Sequence, residues 1–94
     1  MKIRWTERAL SNLASIHAFV SGHSPAAAQK LATTLLQSAW RLEQFPQSGR
    51  EGRLHGTREV VVSGLPYILA YRTLPDIIEI LAVIHTSRQW PEKL

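Results

Sequence analysis

The chain contains no cysteine, which excludes disulfides and thiolate-bound metal ions. No apolar run reaches the roughly 20 residues that a membrane-spanning helix needs. The N-terminus lacks the apolar core of a secretory signal, and the four histidines are scattered along the chain. From these absences we expect a cytoplasmic protein without membrane contact, with no cofactor and no metal site.

The 94 residues, 45% of them hydrophobic, are enough for one compact domain spanning residues 1–94. Eleven Lys and Arg against seven Asp and Glu give a formal net charge of +4. This excess favours polyanionic partners such as nucleic acid or an acidic protein segment. Arg50, Arg53 and Arg58 lie close together in the sequence, either as a binding surface or as a solvated charged loop, which is common in small domains.

Cap and turn signals predict two helices after a first strand. Residues 2–5 alternate as in a strand, and Thr6 is a hydroxyl N-cap for a helix that ends near Gly22. Ser24, followed by proline, begins a second helix, which we expect to end at Phe45-Pro46. Because the two helices are joined so tightly, they should form a hairpin.

Three apolar segments, at 58–62, 67–72 and 80–85, predict strands after a glycine-rich loop at 46–57. The predicted order is β-α-α-β-β-β, and the fold class is α+β. We expect the two-helix hairpin to cover one face of a small, mostly antiparallel sheet and to leave the other face open.

Turn lengths predict how the last strands pair. A three-residue turn at 74–76 sets Thr73 opposite Ile77. The helix-covered face then carries Ile68, Ala70, Ile78, Ile80, Ala82 and Ile84. The open face carries Tyr67, Leu69, Tyr71, Glu79, Leu81, Val83 and His85.

The preceding hairpin decides where the charged strand ends meet. A three-residue turn would place Arg58 opposite Arg72, and like charges that face each other destabilise an antiparallel pair. A two-residue turn instead sets Glu59 opposite Arg72 as an ion pair. It also gathers Arg58 and His85 on the open face, near the basic loop.

An ordered set of motifs resembles the RelE/ParE superfamily of bacterial type II toxins, and the likeness covers nearly the whole chain. The motifs are Trp5-Thr6, Phe45-Pro46, Gly49-Arg50, Gly56-Thr57-Arg58-Glu59-Val60, Tyr67-Ile68-Leu69-Ala70-Tyr71-Arg72 and the segment from Ile80 to Pro91. The resemblance implies a growth-inhibiting toxin that is neutralised by a cognate antitoxin, an acidic and partly disordered protein.

Within that superfamily, RelE-like members cut messenger RNA on the ribosome, whereas ParE-like members poison DNA gyrase without nuclease chemistry. Metal-free RNA cleavage needs a base, an acid and cations around the scissile phosphate. The resemblance implies His85, Arg58 and Glu51 as the catalytic residues of such a nuclease. The residues expected to bind its substrate are Arg50, Arg53, Arg72, Tyr71 and Trp90.

Each of these residues also has a structural interpretation. His85 is equally well explained as a cap at a strand end, and Arg72 as the partner of Glu59. The chain lacks the lysine-rich loop and the terminal tyrosine of the best-known RelE-like nucleases, and ParE-like proteins also often end their last strand in histidine. Ribosome-dependent mRNA cleavage is the first hypothesis, and gyrase inhibition is the alternative.

The antitoxin is expected to lay apolar residues along the two-helix hairpin. An acidic stretch of the same partner would cross Arg50, Arg53 and Arg58. Trp5 and Trp40 are assigned either to the core or to this antitoxin groove.

Overall fold

The computed structural model describes residues 1–87, which form two helices packed against a five-stranded sheet. The sheet order is β1-β5-β4-β3-β2, with β1 parallel to β5 and the other neighbours antiparallel. The predicted fold class is confirmed. The elements are β1 (Lys2–Trp5), α1 (Glu7–Ser21), α2 (Pro25–Arg41), β2 (Arg50–Glu51), β3 (Arg58–Val61), β4 (Tyr67–Thr73) and β5 (Ile77–His85). The two-residue strand β2 lies inside the segment that the sequence predicted as a loop.

The helix boundaries follow the cap residues. The Thr6 hydroxyl accepts a hydrogen bond from the backbone N–H of Ala9, and the Ser24 hydroxyl accepts one from Ala27. Helix α1 has its C-cap at Gly22, as predicted. Helix α2 ends at Arg41, before the predicted end, because the chain tightens into a turn there.

The main core lies between the two helices and one face of the sheet. Its buried members are Ala9, Leu35, Ala39, Leu42, Val62, Leu69, Tyr71, Ile78, Ile80 and Val83. A smaller buried cluster, formed by Ala70, Ala82 and Ile84, belongs to the other face. Ala9 of α1 and Leu35 of α2 are buried where the two helices meet this core.

The predicted division between the two faces is wrong for β4 and for β5 after the residue Leu81, whereas Ile78, Ile80 and Glu79 lie on their predicted faces. A β-bulge shifts the register between Ala70 and Tyr71, so that Ala70 pairs with Ala82 whereas Tyr71 pairs with Ile80. The bulge inserts one residue into β5, and one extra residue turns all later side chains to the opposite face. Strict alternation therefore holds for β4 and fails across the middle of β5.

The size of the side chains explains which residues of β4 face the helices. Leu69 and Tyr71 lie under the helices, whereas Ile68 and Ala70 belong to the other face. A large ring fills the space between two layers better than the methyl group of Ala70 does. The predicted assignment favoured Ile68 and Ala70 instead.

Both predicted hairpin registers also need correction. Thr73 pairs with Ile78, not with Ile77. In the β3–β4 hairpin, Glu59 pairs with Ala70, and the connection is longer than two residues. Gly64 in this turn has a φ of +78°, a conformation that side chains with a Cβ rarely adopt.

Candidate functional site

Two arginines hold the carboxylate of Glu79 on the sheet face that the helices leave uncovered. Arg72 donates from Nε to Oε1 at 2.7 Å, and Arg4 donates from Nε to Oε2 at 3.1 Å and again from Nη2. Strand pairing brings them together, because Arg4 and Arg72 are the two cross-strand neighbours of Glu79. The glutamate side chain is 8% exposed, whereas both arginines are about half exposed.

Glu59 organises a second cluster in the same way. Its carboxylate accepts a hydrogen bond from Arg50 Nη2 at 3.1 Å and one from the backbone N–H of Arg53 at 2.8 Å. The Arg53 Nε lies 4.0 Å from the same carboxylate. The Glu59 side chain is only 1% exposed, whereas the side chains of Arg50 and Arg53 are more than half exposed.

The two clusters lie on one face of the sheet. Glu59 is the cross-strand neighbour of Ala70, and Arg72 follows Ala70 by two residues on β4, so their side chains point to the same side. Together the six residues cross all five strands, a width of about 19 Å. We call this set the arginine–glutamate stripe, and its members are Arg4, Glu79, Arg72, Glu59, Arg50 and Arg53.

The arginines keep Glu79 ionised. The hydrogen bond from Arg4 is the largest cause that lowers the pKa of the Glu79 carboxyl, and the hydrogen bond and charge of Arg72 lower it further. Burial acts in the opposite direction because it favours the neutral form. The net effect is a pKa below the ordinary range, so the carboxylate holds both guanidinium groups at neutral pH.

The loop that carries Arg50 and Arg53 is attached to the core by Tyr71. The Tyr71 hydroxyl donates to the carbonyl oxygen of Pro46 at 2.8 Å and accepts from the N–H of Gly49 at 2.9 Å. A Cβ at Gly49 would lie 2.6 Å from that hydroxyl, so only glycine fits there. Tyr71 is fully buried, so its ring is not exposed for the substrate contact that the sequence suggested.

The predicted ion pair between Glu59 and Arg72 is also wrong. Each of the two residues has a different partner, Arg50 for Glu59 and Glu79 for Arg72. The reason is the shifted register, which places Ala70 opposite Glu59.

The three residues assigned to catalysis do not converge. Arg58 and Glu51 are cross-strand neighbours, and the Arg58 Nη1 donates to the carbonyl oxygen of Gly49 at 2.9 Å. His85 pairs with Tyr67, whereas Arg58 pairs with Tyr71. Tyr67 and Tyr71 are four positions apart on β4, about 13 Å along the strand, and Arg58 and His85 also lie two strands apart. Both belong to the helix-covered face, so their predicted meeting on the open face is wrong.

His85 closes a turn at the end of the last strand. Its Nδ1 accepts the backbone N–H of Ser87 at 3.1 Å and lies 2.7 Å from the Ser87 hydroxyl. Its ring stacks edge-on against Tyr67, with 5.2 Å between the ring centroids. These contacts match the structural interpretation of His85 as a strand-end cap.

Both helices also carry exposed apolar side chains. Phe19 is 72% exposed and Trp40 is 69% exposed, and Leu10 and Leu36 are about half exposed. Between β1 and α2 lies an open groove of about 550 Å³. Its lining residues are Met1, Lys2, Ile3, Trp5, Leu36, Ala39, Trp40 and Glu43. Trp5 packs against the core and also lines this groove. The exposed Trp40 lines the groove as well.

Three further predictions concern Trp90, metal binding and membrane-spanning helices. Trp90 lies outside the described residues. Within residues 1–87, no three His, Asp or Glu side chains are grouped so that they would hold a metal ion. Neither helix in that part of the chain is long and apolar enough to cross a membrane.

Sequence reasoning found Arg50, Arg53 and Arg72 but missed Arg4 and the role of Glu79. A signal was present, since Arg4 alternates with Ile3 and Trp5 and must therefore face away from the helices. What the sequence did not indicate was the parallel pairing of β1 with β5, which brings Arg4 beside Glu79.

Comparisons with known proteins agree with this architecture. A family model described as the ParE toxin of the type II toxin–antitoxin system parDE matches residues 3–90. Y4kP of Sinorhizobium fredii, named as a candidate toxin, is 42% identical over 93 residues, which are 99% of this chain and 96% of the relative. The toxin RelE2 of Caulobacter vibrioides is 33% identical over 87 residues, 93% of this chain and 97% of the relative.

A solved structure from the chromosomal ParDE toxin–antitoxin system of P. aeruginosa has the same fold. It matches with a TM-score of 0.84 over 93% of this chain and 97% of the other, at 23% identity. The solved structure shows the common fold, and the family match and the identity to Y4kP show membership of the family. The chain belongs to the ParE toxin family of type II toxin–antitoxin systems, within the RelE/ParE superfamily, and such a toxin has an antitoxin as its partner.

Proposed function

We propose that this toxin stops growth by binding DNA gyrase, without nuclease chemistry of its own. The observation that carries the proposal is the separation of His85 from Arg58. RNA cleavage without a metal needs a base, an acid and the cations that stabilise the phosphate to meet at one scissile bond. His85 lies about 13 Å along β4 from the level of Arg58, whose guanidinium donates to the Gly49 carbonyl.

Tyr71 also fits a binding function better than RNA cleavage. Sequence-specific contacts to single-stranded RNA use exposed aromatic rings on which bases stack. The Tyr71 ring is buried, and its hydroxyl holds the loop between α2 and β2. The matched family supports the same choice, because ParE-like toxins are the gyrase poisons of the superfamily.

The competing hypothesis is ribosome-dependent mRNA cleavage by His85, Arg58 and Glu51. The similarity to a toxin named RelE2 supports this hypothesis. In favour of it, Arg58 and Glu51 are neighbours across β2 and β3.

Induced expression of the toxin and of its His85→Ala variant separates the two hypotheses. We expect both proteins to cause filamentation and a DNA-damage response before protein synthesis falls, and to inhibit supercoiling by purified gyrase. Lys30→Gln, an exposed change on α2, is the matched control. New 5′ ends in ribosome-bound messages, lost in His85→Ala while the variant stays folded, would overturn the gyrase proposal.

We also propose that the antitoxin covers the apolar side of the helix hairpin. Trp40 and Leu36 line the groove beside β1, and their exposure leaves a large apolar area in water, which typically marks a protein-binding surface. Trp40→Ala should keep toxicity and weaken neutralisation by the co-expressed antitoxin. Phe45→Ala, at another exposed aromatic that lies beyond the end of α2, should leave neutralisation unchanged. If both variants lost neutralisation to the same extent, the antitoxin would not dock specifically at this groove.

A further inference from the structure

We infer that the arginine–glutamate stripe binds the phosphodiester backbone of duplex DNA. This extends the proposed function, because a gyrase poison works where DNA is held, but it does not depend on contact with gyrase. The stripe carries an excess of positive charge. Four guanidinium groups surround two carboxylates, which leaves two positive charges uncompensated within these six residues.

Three of the arginines are held in place by the glutamates, which are almost fully buried. Glu79 accepts side-chain hydrogen bonds from Arg4 and Arg72, and Glu59 accepts one from Arg50. A guanidinium has five N–H donors, and Arg72 gives only its Nε–H to Glu79. Its outer edge is therefore available to a planar acceptor such as a phosphate, to which arginine binds with two parallel hydrogen bonds.

The spacing of the charges also suits a row of phosphates. Two arginines flank Glu79 and two surround Glu59, so the positive groups are unevenly placed along a line of about 19 Å. Each strand of duplex DNA offers a negative charge about every 3.4 Å along its axis. Such a dense row of phosphates meets unevenly spaced cations in any register.

The side chains around the stripe favour duplex over single-stranded nucleic acid. Proteins that bind single strands combine basic grooves with aromatic rings on which bases stack. None of the strand residues in 1–87 on the stripe's face is aromatic, since Trp5, Tyr67 and Tyr71 belong to the helix-covered face. The stripe thus offers contacts to the backbone and no platform for an unpaired base.

The test is a titration of purified toxin with a fluorescent duplex of arbitrary sequence, at salt concentrations between about 50 and 200 mM. Arg4→Gln and Arg72→Gln each remove one phosphate contact. We expect each to lower the slope of log K against log salt by about 0.9, which corresponds to about eightfold weaker binding near 0.1 M salt. Lys30→Gln removes the same charge from an exposed site on α2 and should change the slope little.

Thermal unfolding followed by circular dichroism shows whether the variants are folded. If Arg72→Gln unfolds, Arg72→Lys replaces it, and we expect that variant to keep the salt slope and bind slightly more weakly. The inference is overturned if Lys30→Gln weakens binding as much as the stripe variants do. It is also overturned if single-stranded RNA binds more tightly than the duplex, or if polyglutamate of equal charge displaces the duplex at lower concentration. Because gyrase is absent, failure here is distinct from failure of the gyrase proposal.

Discussion

The two faces of the sheet use alternate residues of the same strands and are stabilised in different ways. The helix-covered face buries large apolar side chains against α1 and α2. The other face has a small apolar cluster and, beside it, two glutamates that are buried by their arginines. Burial of apolar area stabilises the first face, whereas the second gains little from ion pairs that remain half exposed. The comparison shows one face built for stability and one arranged to present charge.

The largest expected effect on stability comes from shortening an isoleucine of β5, and it can be compared between the two faces. Ile80→Ala removes a side chain from the main core and should cost about 2–5 kcal/mol of unfolding free energy. Ile84→Ala, in the small cluster of the other face, should fall at the low end of that range because its surroundings can close more easily. Urea unfolding of both variants measures the difference. Equal losses would mean that the two faces contribute alike.

The link between the faces is the Tyr71 hydroxyl, which lies under the helices yet holds the loop of the stripe. Tyr71→Phe leaves the Pro46 carbonyl and the Gly49 N–H without their partner, and should cost about 1–3 kcal/mol. Tyr67→Phe removes a hydroxyl from the same face of β4 and is the control. Faster hydrogen exchange at Gly49 in Tyr71→Phe alone would support this role, and unchanged exchange would contradict it.

The pH dependence of stability tests the charged face alone. The pKa of Glu79 is lowered by folding, so its contribution is present near neutral pH and is lost as the pH falls below about 4.5, its ordinary value. Glu79→Gln lacks this contribution and should be less stable than the wild type at pH 7, with the difference shrinking in acid. Denaturant titrations at several pH values measure it. Glu43→Gln, which removes a charge from an exposed site, should follow the wild-type profile, and a constant gap for Glu79→Gln would contradict the assignment.

The smallest effect on stability belongs to the arginines themselves. Arg4→Gln and Arg50→Gln each leave their glutamate with another arginine group, and the lost pairs are half exposed. Each change should therefore cost less than about 1 kcal/mol. A loss as large as that of Tyr71→Phe would mean that the stripe stabilises the fold rather than serving a partner.

Much of the helical layer was predictable because its signals are local. Thr6 and Ser24 mark the helix starts through hydrogen bonds within one turn, and the apolar stripe at Leu35 follows from helical spacing. The order of elements and the family resemblance also came from the sequence. The sequence did not reveal which residues of β4 face the helices, because Ile68 and Leu69 are equally apolar and only the helix layer distinguishes them.

The candidate site was predicted in part for the same reason. Arg50 and Arg53 lie close in sequence, and they remain close in the fold. The partner of Arg72, by contrast, depends on a bulge in β5 and on a hairpin register that no nearby residue specifies.

The sequence by itself determined the α+β class, the helix limits at their N-caps, the excess of arginine and the membership of a toxin superfamily. All of these depend on residue type and short spacing. Only the tertiary structure decided that Arg4, from the first strand, stands beside Glu79 of the last strand, and that Arg58 and His85 stay apart. The physical reason is that cross-strand neighbours are set by register, and register depends on bulges, turns and the packing of both layers together.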